Sequence, residues 1–127
     1  MNIKSKRDRP TILLVEDSPT QRIVVSKMIQ ELGFNILGAG DGKEALHMAL
    51  QHQPALILMD FDLPLVNGLD AAKNLRNTAA TSHIPVVALT GCDSQACRLR
   101  ALMRGVVDYI VKPVAPEQLH SAITEQI

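Results

Sequence analysis

Four short aliphatic runs, each closed by a polar residue, limit what this chain can become more than any other feature. Residues 11–15 read TILLV, 55–59 ALILM, 84–89 IPVVAL and 106–111 VVDYIV; residues 34–39, FNILGA, form a weaker fifth run. Apolar stretches of this length between polar boundaries suit strands buried on both faces. The segments between them have helical spacing. The first offers Ser18 as a cap, Pro19 for the first turn and Gly33 as a stop, with Ile23, Val24, Met28, Ile29 and Leu32 on one side. The second starts at Asp41 with Glu44 three residues on, a capping-box pattern, and carries Ala45, Leu46, Met48, Ala49 and Leu50. The third covers about 68–76, the fourth about 93–104 with Gly105 ending it, and the fifth starts at Pro116 and shows Leu119, Ala122, Ile123 and Ile127. Strands alternating with helices predict an α/β domain, a doubly wound parallel sheet of five strands. Right-handed crossovers place helices on both of its faces.

The chain has 127 residues, enough for one domain with its own core. That unit is expected to span 10–127, behind a flexible basic leader over 1–9. Hydrophobic residues at 46% argue against disorder. Aromatics at 2% require an aliphatic core and disfavour a base-stacking nucleic-acid module. Thirteen basic residues balance thirteen acidic ones, although the first nine residues carry a net +3 and the remainder −3. No overall field therefore points to direct nucleic-acid binding or to anionic lipid. No apolar run reaches the roughly 18 residues of a membrane span, and the basic leader has no apolar stretch behind it to make a signal peptide. Cys92 and Cys97 are too few for a disulfide framework and are not spaced as CxxC, so reduced, inert thiols in a cytoplasmic protein are expected.

The polar residues at the end of each run carry the chemistry. TILLV is followed by Glu16 and Asp17, ALILM by Asp60, VVAL by Thr90, and DYIV by Lys112 and Pro113. Open parallel sheets bind ligands at the carboxyl ends of their strands, near the switch in strand order. In the flavodoxin-like order 2-1-3-4-5, the first and third strands are neighbours at that switch. Glu16, Asp17 and Asp60 then share one cleft, flanked by Thr90 and Lys112. Clustered carboxylates need a cation, and an oxygen-only ligand set suits Mg²⁺. A divalent ion, a lysine and a hydroxyl beside a carboxylate form a phosphoryl-transfer layout in which the carboxylate can act as nucleophile.

These motifs closely resemble the receiver domain of two-component response regulators, including the chemotaxis regulator and the receivers of hybrid histidine kinases. The resemblance covers about 11–126 and rests on VEDSPTQR, LILMDFDLPLVNGL, ALTG and YIVKP, each in its place. It implies that Asp60 accepts a phosphoryl group from a histidine kinase or a histidine phosphotransfer protein. It implies Mg²⁺ ligation by Asp17, Asp60 and the backbone carbonyl of Asp62, with Glu16 acting through water. Thr90 becomes the switch hydroxyl, Lys112 the phosphoryl partner and Tyr109 the switch aromatic. The Lys112–Pro113 bond is expected to be cis, and Pro64 and Gly68 to shape the loop after Asp60. The output surface implied is the fourth helix, fifth strand and fifth helix. Such a module is a signalling phosphoacceptor, assisting only its own phosphorylation and dephosphorylation, and not an enzyme with external substrates. Gly91 stands where the family usually has alanine, which loosens that loop. In that family the positions of Asp62 and Cys92 border the path of attacking water, so the resemblance implies that both bear on phosphate lifetime.

Other readings weigh less. Asp60-Phe61-Asp62 is similar to the DxD of haloacid-dehalogenase-type phosphatases, which also form an aspartyl phosphate, but that family places it after the first strand. A flavin-binding flavodoxin needs a hydroxyl- and glycine-rich phosphate loop where this chain has Glu16 and Asp17. His47, His52, His83 and His120 share no metal-like spacing. The side chain of Asp62 reads as a solvated loop carboxylate, and Arg98, Arg100 and Arg104 as a solvated face with some weight toward a partner.

Overall fold

The aliphatic runs become a five-stranded parallel sheet in a computed structural model that describes residues 6–62 and 68–127. A short 3-10 turn at Lys6–Asp8 precedes ten alternating elements: β1 (Thr11–Val15), α1 (Pro19–Glu31), β2 (Asn35–Ala39), α2 (Gly42–His52), β3 (Leu56–Asp60), α3 (Gly68–Asn77), β4 (Val86–Thr90), α4 (Gln95–Met103), β5 (Asp108–Val111) and α5 (Pro116–Thr124). The sheet order is β2-β1-β3-β4-β5, with every pairing parallel. Of the leader, residues 1–5 lie outside the described residues.

Alternate residues of the strands face opposite sides. Leu13, Val15, Ile57, Met59, Val86, Ala88 and Tyr109 pack with α2, α3 and α4 through Ala45, Ala49, Ala71, Ala72, Leu75 and Ala101. Ile12, Leu14, Leu56, Leu58, Val87, Leu89 and Ile110 pack with α1 and α5 through Val25, Ile29, Leu119, Ala122 and Ile123. Burial on both faces is why the strands read as unbroken apolar runs.

Two helices differ in detail from the sequence reading. The buried stripe of α1 is Val25 and Ile29, while Ile23 is 68% and Val24 49% exposed. A helix beside a sheet buries only the narrow i, i+4 stripe that points at it, and Ile23 and Val24 fall outside that stripe. The fourth helix starts at Gln95, not at 93, because Ser94 caps it by accepting from the amide of Cys97. Gly105, after α4, has φ +91, which only glycine adopts without strain. The reduced-thiol expectation is also overturned. Cys92 and Cys97 are disulfide-bonded, with Cα atoms 6.3 Å apart. The β4–α4 loop turns back on itself, so that Cys92 meets the first turn of α4, a proximity that CxxC spacing does not encode.

Candidate functional site

Strand register brings the polar residues to one level. Val15 pairs with Met59, Asp60 with Leu89, and Thr90 with Val111, so each residue beyond these ends projects from the same edge. Hydrogen bonds continue past the strand ends. The amide of Glu16 donates to Ala39 O (2.9 Å), that of Phe61 to Leu89 O (2.9 Å), and that of Lys112 to Thr90 O (2.8 Å). The backbone beneath the site is thereby fixed.

Asp60 lies at the centre and is buried. Its Oδ2 accepts from Lys112 Nζ at 3.0 Å, and its Oδ1 accepts from the Asp62 amide at 2.8 Å. Carboxylate oxygens of Glu16, Asp17 and Asp60 all lie within 4.8 Å of one another. Glu16 is buried, whereas Asp17 is exposed. Desolvation, then the neighbouring Asp60, pushes the Glu16 carboxyl from 4.5 up to about 7; the Ser18 amide and Lys112 pull the other way. Burial is the largest influence on Lys112 and favours the neutral amine. It is outweighed by the hydrogen bond and charge of Asp60, with Glu16 and Asp62 adding, so the ammonium is held above its usual value. A hard divalent cation relieves this crowding of oxygen donors, and the donor set fits Mg²⁺.

Thr90 is buried at the end of β4, and its hydroxyl oxygen accepts from the Cys92 amide at 3.1 Å. Tyr109 is already turned inward, and its hydroxyl donates to the Cys92 carbonyl. The ring has apolar neighbours and an acceptor there. The guanidinium of Arg98 lies 4.9 Å from the ring centroid while pairing with Asp93 at 2.7 Å. The Lys112–Pro113 peptide is cis. Gly68 is the first residue of α3, and Pro64 lies outside the described residues.

Two contributions were missed in sequence. The Asp62 carboxylate is not merely solvated: its Oδ2 lies 3.5 Å from Lys112 Nζ and accepts from the Gly91 amide at 3.4 Å. Arg22 donates through Nη1 to Glu16 O at 2.8 Å, tying α1 to the end of β1. Gly38 was the signal for it, since a Cβ there would stand 3.2 Å from Arg22 Cδ.

A parallel sheet of this order, with an acidic cluster at its carboxyl edge facing a lysine, defines the class, and sequence comparison agrees. The chain belongs to the response regulator receiver domain family, which it matches over residues 12–124. Among its relatives is protein PilH of Pseudomonas aeruginosa, 36% identical over 112 residues that cover 88% of this chain and 93% of PilH. A histidine kinase of Formosa agariphila is 36% identical over 109 residues, covering 86% of this chain but 8% of the kinase. The chain also spans about half of the regulator PdtaR of Mycobacterium tuberculosis, at 54%. Among solved structures, Vibrio cholerae chemotaxis protein CheY4 superposes with a TM-score of 0.88 at 28% identity, covering 94% of this chain and 99% of that one. The receiver domain of a sensor histidine kinase from Pseudomonas aeruginosa gives 0.86 at 31% identity, covering 93% and 97%, and holds a magnesium ion in its active-site cleft. Receiver domains are signalling phosphoacceptors that take phosphoryl groups from histidine kinases and bind Mg²⁺ in this cleft. The phosphatase reading is not supported. Among the described residues, no helix is long and apolar enough to cross a membrane.

Proposed function

We propose that residues 10–127 work as a cytoplasmic phosphoacceptor in which Asp60 is the nucleophile. The observation that carries this reading is the setting of Asp60: a buried carboxylate with Oδ2 on Lys112 Nζ at 3.0 Å, inside a cluster with Glu16 and Asp17. A carboxylate oxygen of Asp60 attacks phosphorus in a phosphohistidine. The new O–P bond forms as the P–N bond breaks, and the donor imidazole leaves with the bonding electron pair and takes up a proton. Lys112 offers an ammonium to the oxygens of the transferring group, and Thr90 a hydroxyl. Asp17 and Asp60, the Asp62 carbonyl and, through water, Glu16 would hold Mg²⁺. When bound, the ion supplies countercharge for the phosphoryl oxygens.

The product replaces the single negative charge of the Asp60 carboxylate by a phosphoryl group that carries roughly −1.5 to −2 and three strong acceptor oxygens. The Thr90 hydroxyl, whose oxygen accepts from the Cys92 amide, then gains a strong acceptor for its own proton. A shift there reaches Tyr109 through Cys92, and with it α4, β5 and α5. That face carries exposed Leu99, Leu102, Met103 and Val107, which suits a protein partner. The chain contributes signalling and no turnover of an external substrate.

Intact-protein mass spectrometry tests the reading. Acetyl phosphate with Mg²⁺ should add one phosphoryl group to the wild type and none to Asp60→Asn. Equal labelling of both proteins would overturn it.

A further inference from the structure

Cys92 is bound on three sides by the elements that would carry the signal. Its amide donates to Thr90 Oγ1, its carbonyl accepts from the Tyr109 hydroxyl, and its sulfur is bonded to Cys97 in the first turn of α4. The bridge therefore spans the segment that must move if Thr90 turns toward Asp60. It also lines a cavity of about 300 Å³ shared with Thr90, Arg100 and Tyr109. Both cysteines are partly exposed, so the bond is open to attack from solvent. Arg100 Nη2 lies 3.8 Å from Cys97 Sγ, and the N-terminus of α4 adds positive charge beside the same sulfur. Cys97 is thus the better leaving group of the two.

We propose that Cys92–Cys97 is a reversible thiol–disulfide site, and that its redox state sets how far the Asp60 signal reaches α4. The inference rests on the reading of Asp60 as phosphoacceptor. The reactant class is a dithiol, small or carried by a protein. One of its thiolates attacks Cys92 Sγ, the Cys92–Cys97 bond breaks, and Cys97 Sγ leaves with the electron pair and takes up a proton. The second thiol of the reductant then resolves the mixed disulfide, releasing Cys92 as a thiol. Two electrons pass to the protein and the dithiol becomes a disulfide; a disulfide oxidant reverses the sequence. In the bridged form the loop over residues 92–97 is a closed ring, so Thr90 and Tyr109 act on a segment already tied to α4. In the dithiol form that loop is free to follow them.

The full chain is equilibrated in mixtures of reduced and oxidised dithiothreitol, then alkylated and weighed. Amide NMR follows each form with and without beryllofluoride and Mg²⁺, alongside a Cys92→Ser/Cys97→Ser variant. The expected result is two alkylated cysteines in reducing mixtures and none in oxidising ones. Beryllofluoride should shift the neighbours of Asp60 in every form. The α4 and Tyr109 shifts should be full in the dithiol form and the double-serine variant, and mostly lost in the disulfide form. Two free thiols at every ratio, or α4 shifts of equal size in both redox forms, would overturn the inference while leaving the phosphoacceptor reading standing. Absence of any beryllofluoride shift near Asp60 in all three samples would overturn both.

Discussion

Glu16 shows how the site costs the fold stability. In the unfolded chain its carboxyl titrates near the usual 4.5, and in the folded chain near 7. The folded state therefore binds more protons between those values, and stability falls as pH rises through that window. Without divalent metal, the penalty is fully present above about pH 7. Glu16→Gln, which keeps an oxygen for the Ser18 amide, should stabilise the metal-free protein at pH 8 by about 1–3 kcal/mol and change little at pH 4. Urea unfolding in EDTA at the two pH values checks this; an equal effect at both would show that charge is not the cause. The same crowding makes Asp17→Asn the informative metal variant. Calorimetric titration should show Mg²⁺ binding weakened at least tenfold, roughly 1.4 kcal/mol or more, because one anionic ligand is lost from a small set. Unchanged affinity would remove Asp17 from the site.

Among the elements, the turn after α4 and the loop after β4 make opposite demands on glycine. Gly105 has φ +91, and a Cβ there would meet Arg76 Cδ and Cγ at 3.2 Å. Gly105→Ala should cost about 1–2 kcal/mol. Gly91 has neither a positive φ nor any atom within 4 Å of an added Cβ. Gly91→Ala should be neutral or stabilise by up to about 1 kcal/mol, through the unfolded chain. Thermal melts of both variants decide, and the reverse ranking would contradict the backbone described. The same elements show where sequence is informative. β1 and β3 were plain because burial on both faces leaves no polar interruption. The inward stripe of α1 was not, because Ile23 and Val24 are as apolar as Val25 and Ile29, and only the sheet decides which pair points at it.

Across the whole molecule, the site was legible because topology concentrates it. Residues far apart in sequence, Glu16, Asp60 and Lys112, meet since each stands at the end of a strand of one parallel sheet, and Thr90 ends the strand between those of Asp60 and Lys112. The Asp62 contact with Lys112, the Arg22 clasp and the Cys92–Cys97 bridge depend on loop paths, which no hydropathy pattern reports. Transmission is likewise a property of the whole molecule. Thr90→Ala keeps the nucleophile and the carboxylate cluster, so it should still take phosphate. It should lose the amide shifts of α4 and Tyr109 that beryllofluoride produces in reduced wild type; shifts of wild-type size would place the coupling elsewhere. All of this depends on Asp60 being the acceptor, and peptide mapping after borohydride reduction, which converts an aspartyl phosphate to homoserine, examines that directly. After acetyl phosphate and Mg²⁺, homoserine should be found at position 60 and be lost when EDTA is added beforehand. Homoserine at another aspartate, or at none, would contradict the account.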